Sequence, residues 1–408
     1  MDQSTASLPP RDSTAAVTAG FLGWTLDAFD YFLVVMCLTA IGKEFHKTDA
    51  EMALAIMLTL AFRPVGALLF GLIADRYGRR LPLMLDLILF SVIEVLSGLA
   101  RDYHTFLILR AIFGIAMGGE WGVGASLTME KVPPKLRGLL SGLLQEGYAA
   151  GYLLAAVAFA LVFPHFGWRP LFFIGGLPAL LAVFVRFGVK ESEAWEKDQA
   201  GSWLQLGSGI ARHWQTFLYI VLLMTMLNLS SHGTQDLYPT FLQRARNMGV
   251  TQKSTLTAIS MVGAILGGLA FGSLSDRIGR RRSMVLAFIG AILAIPLWVF
   301  PMQSTLLMLG AFGLQFMVQG AWGVIPAHLV ELSPPTIRGF LPGFSYQMGN
   351  LIASGIVVFE TLAAKRWGYP QTMAVSAAII FTIAAVVTGL GPERRGHTFG
   401  QSPPAAPL

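Results

Sequence analysis

The sequence predicts an all-α polytopic membrane protein, with twelve transmembrane helices arranged as two pseudo-symmetric six-helix bundles. Composition is the first reason: of 408 residues 54% are apolar and 13% charged, against about 25% charged in an average soluble domain. Apolar runs of about 20 residues then recur along almost the whole chain, each long enough to cross a bilayer core of about 30 Å. The third reason is an internal copy. Shifting the chain by 201 positions aligns the segment 71–80 (GLIADRYGRR) with 272–281 (GSLSDRIGRR), and Trp121, Glu130, Pro133, Arg137 and Gly138 with Trp322, Glu331, Pro334, Arg338 and Gly339. Six spans per half place the copies parallel, with a substrate site expected at their interface near the bilayer midplane.

Gly, Pro and charge punctuation sets the expected spans at 20–41, 51–74, 82–100, 104–129, 138–163, 169–189, 214–241, 255–275, 283–301, 304–331, 339–363 and 370–390. Residues 1–19 lack the basic-then-apolar order of a signal peptide and read as a disordered tail. The bundles are then 20–189 and 214–390, joined by a polar linker at 190–213 and followed by a tail at 391–408. The linker reads as carrying an interfacial helix with Trp195 and Trp203. Of the Lys and Arg residues, 18 fall on the side of the termini, nine on the other, and Arg63 and Arg110 inside spans. That bias predicts cytoplasmic termini, in the cell membrane, and gives the net charge of +6 a topological meaning that does not involve nucleic acid. A single cysteine, Cys37, and the lack of any Cys/His cluster with ligand spacing leave redox and metal chemistry without support.

The twice-occurring Gly-x-x-x-Asp-Arg-x-Gly-Arg-Arg loop resembles the signature loop of the major facilitator superfamily. FLGWTLDAFDYFLV in span 1, RPVGALLFG in span 2 and MGGEWGVGASL in span 4 resemble its sialate:H+ symporter family. In span 7, Asn228, Ser231, His232, Gln235, Asp236 and Thr240 match the pattern Asn-x-x-Ser/Thr-His-x-x-Gln-Asp-x-x-x-Thr of the monocarboxylate permease branch. That branch also has Gln-x-x-Asn in span 11, matched by Gln347 and Asn350, and a functional arginine where Arg63 stands. The resemblance implies uptake of lactate or pyruvate with a proton, the proton being the only coupling ion and no cofactor taking part. The chain lacks the long terminal extensions of the yeast permeases.

Physical chemistry points to the same residues. Asn228, Ser231, His232 and Gln235 lie at i, i+3, i+4 and i+7, so they make one polar stripe that faces a cavity or glues helices together. Asp236 is one turn beyond His232, within reach of its ring. Arg63 falls about twelve residues into span 2, roughly 18 Å of helix at 1.5 Å per residue, where a guanidinium needs a counter-anion. Its planar fork suits a carboxylate; the alternative is a permanent bridge to Asp27 or Asp30. Gln347 and Asn350 share a face and offer donors, and Tyr31, Tyr148, Trp121, Trp322 and Tyr346 are candidate cavity walls.

Span interiors hold two arginines against Asp27, Asp30, Asp86, Glu94, Glu120, Glu146, Asp236 and Glu360. An excess of buried carboxyls favours proton exchange. Asp236 with His232 lead as carriers, followed by Asp27, Asp30, Glu120 and Glu146, while Glu94 reads as structural and Arg110 as reaching the outer interface. Asp27 and Asp30 are the repeat equivalents of Asn228 and Ser231, so one wall is acidic and its copy neutral. In the repeated loops, Asp75, Arg76 and Arg79, with Asp276, Arg277 and Arg280, are expected to close the cytoplasmic side by charge-assisted bonds between adjoining helices.

The expectation is therefore a proton-coupled secondary carrier of a small monocarboxylate working by alternating access, acting as a monomer in the lipid bilayer. A sialic or other larger organic acid is the alternative cargo, and a transporter-like receptor the alternative class. No nucleophile–base triad, metal cluster or nucleotide domain emerges to make the chain an enzyme or a pump.

Overall fold

The computed structural model describes residues 11–47, 49–198, 203–248 and 250–396. The first half runs α1 (Arg11–Glu44), α2 (Asp49–Tyr77), α3 (Arg80–Leu99), α4 (Tyr103–Lys131), α5 (Arg137–Gln145), α6 (Gly147–Phe166), α7 (Arg169–Ile174) and α8 (Pro178–Gly188). Two short helices, α9 (Glu193–Asp198) and α10 (Trp203–Arg212), connect it to the second. That half comprises α11 (Trp214–Gln235), α12 (Tyr238–Arg244), α13 (Val250–Ile278), α14 (Arg280–Val299), α15 (Ser304–Leu332), α16 (Leu341–Ala353), α17 (Ile356–Trp367) and α18 (Tyr369–Leu390).

Among the described residues, ten stretches are long and apolar enough to cross a membrane, and Arg169–Val185 is a shorter apolar one. Twelve crossings result because the sixth and eleventh expected spans are each built from two short helices, α7 with α8 and α16 with α17. Breaks also occur where continuous helices were expected: span 5 divides at Glu146 and span 7 at Asp236 and Leu237. Proline explains two of these points, since Pro178 and Pro239 stand in the first turn of α8 and α12, where no backbone N–H is required. The first helix starts at Arg11, so the whole described part of the expected disordered N-terminal tail, 11–19, is helical; Ser13 donates to the Lys131 carbonyl at 2.6 Å and ties it to α4. Residues 1–10 and 397–408 of the expected tails lie outside the described residues.

The halves pack by the same scheme. Within each, α2 lies on α4 and α13 on α15, while α1 lies on α6 and α11 on α16. Between them, α5 crosses α13 and α15, and α16 crosses α2 and α4. Glycines permit these crossings: a side chain at Gly122 would strike the Gly343 backbone, and one at Gly138 the Gly272 carbonyl.

The repeated loops fix one face of the molecule. Gly78 and Gly279 have φ of +101° and +102°, the left-handed region that favours glycine. Glu191 then accepts from the Arg79 and Arg80 amides at 2.9 and 3.1 Å, and Glu393 from the Arg281 amide at 2.9 Å, satisfying donors at the starts of α3 and α14. Trp195 is not spread on a lipid interface as expected: its indole donates to the Asp75 carbonyl at 2.9 Å and docks α9 on the end of α2. The Trp203 side chain lies outside the described residues. At the opposite face, Glu44 accepts from Arg169 and Trp168, both at 2.6 Å. Burial opposes its ionisation, but these bonds outweigh it and hold the carboxyl below the usual glutamate range.

Candidate functional site

Between the halves lies a small pocket of about 90 Å³, lined by Arg63, Asn228, Ser231, His232, Gln235, Asp236, Asn350, Tyr31 and Tyr148. These nine come from five separate stretches of sequence and include most of the expected binding residues. Trp24, Leu60, Gln145, Gln319, Trp322 and Tyr346 complete the wall. Gln145, Tyr148, Gln235, Asp236 and Gln319 also line a larger chamber of about 350 Å³, which adjoins the pocket and reaches Phe32, Met36, Tyr152 and Trp298. That chamber lies on the side away from the termini; Asp236 lines both cavities and His232 the smaller one, and their side chains are 43% and 36% exposed.

The polar stripe of α11 is organised by the helix end. His232 occupies the last turn and Asp236 the capping position, so Nδ1 of His232 meets a carboxylate oxygen at 3.0 Å. Nε2 meets Oδ1 of Asn350 at 3.1 Å, reaching from α11 to α16. Both ring nitrogens thus face oxygens, a setting in which the ring donates from both when it carries a second proton. Gln235 donates to Gln315 at 2.9 Å, and Gln315 to Thr234 at 3.2 Å, which fixes the amides of this wall. The Thr240 side chain lies outside the described residues.

Arg63 is 4% exposed, and its Nε and one terminal nitrogen have no partner among the described residues. It forms no ion pair with Asp27 or Asp30, so the permanent-bridge alternative is not what the structure contains; all four oxygens of those aspartates are also unpartnered among the described residues. Asp27, Asp30 and Glu120 are buried beside the pocket but do not line it. Glu146, at the break between α5 and α6, lines the larger chamber with one oxygen unpartnered among the described residues. Gln347 is buried outside both cavities.

Arg110 is corrected outright. Instead of reaching the outer interface it is fully buried, donating to Glu94 at 2.7 Å and Ser97 at 2.5 Å, with its guanidinium 4.4 Å from the Phe113 ring centre. The carboxylate on α3 supplies the counter-charge that snorkelling would otherwise replace, and it gives Glu94 its structural place.

At the face bearing the termini, two equivalent networks join the halves. Asp75 accepts from the Gly339 and Phe340 amides at 2.7 and 2.9 Å, ahead of α16, and from Arg79 at 2.5 Å. Arg79 continues to Glu130 at 3.1 Å, which lies 3.6 Å from Arg338. In the copy, Asp276 accepts from the Gly138 and Leu139 amides at 2.8 and 3.0 Å, and from Arg280 at 2.8 Å. Arg280 grips Glu331 through two bonds of 3.0 Å, and Glu331 accepts from Arg137 at 2.9 Å. Of the expected loop residues, Asp75, Arg79, Asp276 and Arg280 are in these networks. Arg277 is exposed, with its carbonyl accepting from Arg395, and Arg76 lies against Tyr77. Sequence reasoning missed Glu130, Arg137, Glu331 and Arg338 as partners, although all four stand in the blocks aligned by the 201-residue shift.

Two bundles that enclose a polar cavity, closed by paired networks at one face, define a multi-pass membrane transporter. The sequence matches the Major Facilitator Superfamily over residues 20–234 and 220–406, and the chain belongs to that family. It is 30% identical over 403 residues to a carboxylic acid transporter protein homolog of Saccharomyces cerevisiae, covering 91% of this chain and 65% of the yeast protein. It is also 30% identical over 404 residues to a probable 4-methylmuconolactone transporter of Cupriavidus pinatubonensis, covering 96% and 94% of the two chains. Among solved structures, the proton:xylose symporter XylE superimposes with a TM-score of 0.75 at 17% identity, over 95% of this chain and 98% of that one. That last likeness concerns the fold. The family is one of transporters, so the chain is not an enzyme.

Proposed function

We propose that the protein is a proton-coupled symporter of a small monocarboxylate, with lactate and pyruvate as the acids to which the span 7 pattern points. The observation that carries this reading is the Arg63 guanidinium, buried in a cavity between the halves without an internal counter-anion among the described residues. A planar fork at that depth binds a carboxylate bidentately. Across the same pocket, His232 between Asp236 and Asn350 is the proton carrier, because gain or loss of one ring proton changes which of its two contacts it can donate to. The two similar relatives named for organic-acid or lactone transport support this class of cargo.

Alternating access follows from the two networks: with Asp75 and Asp276 engaged the face bearing the termini is shut, and their release opens it. The Lys/Arg bias supports a cytoplasmic position for that face in the cell membrane, and on this reading the arrangement described is outward-facing. The pathway lies between the two halves of one chain, so a monomer suffices, and the proton is the only coupling ion required. Uptake of labelled lactate into liposomes tests the reading: an inward proton gradient stimulates uptake by the wild type, and Arg63→Gln abolishes the stimulation. Wild-type uptake unaffected by the gradient removes proton symport. Competition by sialate with the potency of lactate or better would favour the larger-acid cargo.

A further inference from the structure

A proton carrier at His232 must be kept from moving its proton across the membrane without cargo. We propose that Asn350 is the catch that prevents this: it holds helix α16 in place while His232 carries a second proton, and lets go when a cargo carboxylate takes over the ring. The proposal rests on His232 and Arg63 as the proton and carboxylate sites, and adds the residue that ties both to the face bearing the termini.

The two ring contacts are not equivalent. Nδ1 of His232 meets a carboxylate oxygen of Asp236 at 3.0 Å, and an ionised carboxylate only accepts, so Nδ1 keeps a proton. Nε2 meets Oδ1 of Asn350 at 3.1 Å, again an acceptor. A neutral ring then turns a lone pair towards Oδ1, whereas a ring with a second proton donates to it. An amide turned over to serve the neutral ring makes a neutral bond, about half as strong as one to the charged ring. The contact therefore tightens on protonation. The charged and titratable groups around the ring are Asp236 at the end of its own helix, Arg63 on α2, Glu360 on α17, which lies against Gly233, and the phenols of Tyr31, Tyr148 and Tyr346. From α15 come the neutral Gln319 and Trp322.

Asn350 can act at a distance because of the helix it stands on. α16 has 13 residues and is a separate rod, about 20 Å long at 1.5 Å per residue, ended by the break before α17. Asp75 of the first half accepts from the Gly339 and Phe340 amides at its start. In its middle, Gly343 lies on the Gly122 backbone of α4, and the Tyr346 ring centre is 4.8 Å from that of Trp121 and 5.5 Å from that of Trp322. At its far end a side chain at Gly349 would strike the Met224–Thr225 backbone of α11, one position before Asn350 meets His232. One rod thus touches the proton site, the pocket wall and the network at the far face, and a bond at Asn350 restrains all three.

Cargo releases the catch by competition. Arg63 and His232 line the same pocket of about 90 Å³, so a carboxylate held by the Arg63 nitrogens that lack a partner among the described residues also comes to the ring. A carboxylate is a charged acceptor and Oδ1 a neutral one, so the Nε2 proton turns from Asn350 to the cargo. No proton changes owner in this step. A proton alone holds α16, a proton with cargo frees it, and an empty neutral ring holds it weakly enough for the carrier to return.

Proton entry into sealed proteoliposomes tests this, read by an internal pH dye under an inward proton gradient at clamped membrane potential. Without cargo, wild-type vesicles take up protons little faster than protein-free ones, and lactate raises entry above that of Arg63→Gln vesicles. Asn350→Leu, shown to be folded by a cooperative melt, raises cargo-free entry about tenfold, the effect of losing one hydrogen bond to a charged group. Asn350→Asp, which keeps the acceptor, does not. Protein with its own Asn350 supplies a second measure through a cysteine at Ala327 in a Cys37→Ser background. Corrected for thiolate content, its reaction with a maleimide applied from the side of the termini is slower in mildly acid than in mildly alkaline buffer, and lactate restores the rate in acid. The catch is overturned, with proton symport left standing, by a folded Asn350→Leu as tight as wild type, by Asn350→Asp as leaky as Asn350→Leu, or by a cysteine that reacts equally fast in acid with and without lactate. Lactate that draws no protons into wild-type vesicles overturns the symport reading and the catch with it.

Discussion

At the scale of single residues, the charges inside the spans divide into those with partners and those without. Arg110 has Glu94, Ser97 and an aromatic ring, and among the described residues Arg63 has no ion-pair partner. Both were visible in the sequence as intramembrane arginines. What distinguishes them is a counter-charge sixteen positions upstream on another helix, which no local pattern encodes. The expected consequences differ accordingly. Arg63→Gln weakens carboxylate binding about 10- to 100-fold, the cost of one charged hydrogen-bonding partner, with thermal stability little changed; a binding isotherm and a melting curve on the same sample check both halves. Glu94→Gln instead leaves Arg110 buried and uncompensated and destabilises by about 3–5 kcal/mol. The double substitution Glu94→Gln with Arg110→Met recovers much of that loss, measured as the detergent melting temperature, and failure to recover would mean the pair does more than neutralise itself. Trp24 went unnoticed in the sequence because a tryptophan in an apolar span looks like packing, and its unpartnered N–H appears only in three dimensions.

At the scale of elements, the helix periods were readable and the breaks were not. A continuous span 7 was expected, yet α11 stops at Gln235 and α12 resumes at Tyr238, setting Asp236 at a helix end where its carboxylate meets the His232 ring. The only local signals were Pro239 and the polar run before it, and hydrophobic periodicity passes over both. The loops behave differently. Their repetition announced a shared role, but the charge partners Glu130 and Glu331 sit at the far ends of α4 and α15, brought in by tertiary packing. The networks make two predictions. Asp75→Asn weakens the hold on the start of α16 and shifts the protein towards opening at that face. A cysteine introduced at buried Ala327 in a Cys37→Ser background then reacts about tenfold faster with a maleimide applied from that side. An unchanged rate would remove the gating role. Gly78→Ala, which forces a side chain onto a backbone at φ +101°, lowers the melting temperature by a few degrees, whereas Gly207→Ala, on helix α10 with open space around it, does not.

At the scale of the whole molecule, a copied architecture carries uncopied chemistry. Moving 201 residues along from Asp27, Asp30, Arg63, Asp86, Glu94, Arg110, Glu120 and Glu146 gives Asn228, Ser231, Ala264, Ala287, Ile295, Ala311, Ala321 and Gln347. Each of these eight charges within the spans of the first bundle has a neutral counterpart in the second, although the helix packing and the charged loop networks repeat. The architecture was legible because burial of apolar faces and the loop signature obey rules that both copies keep. The assignment of roles within the acid-rich bundle was less so, because composition counts carboxyls without telling which reach the cavity, and Asp27, Asp30 and Glu120 stop short of it. On this account His232 and Asp236 in the neutral bundle handle the proton at the cargo. His232→Gln or Asp236→Asn should therefore leave exchange of carboxylate across the membrane measurable while removing its acceleration by a pH gradient. The most direct measurement is uptake of labelled lactate into sealed proteoliposomes under an imposed inward proton gradient, with Arg63→Gln vesicles correcting for passive entry of the undissociated acid. The account predicts gradient-driven accumulation above equilibrium that collapses on adding a protonophore; uptake that merely equilibrates, with or without the gradient, would contradict it.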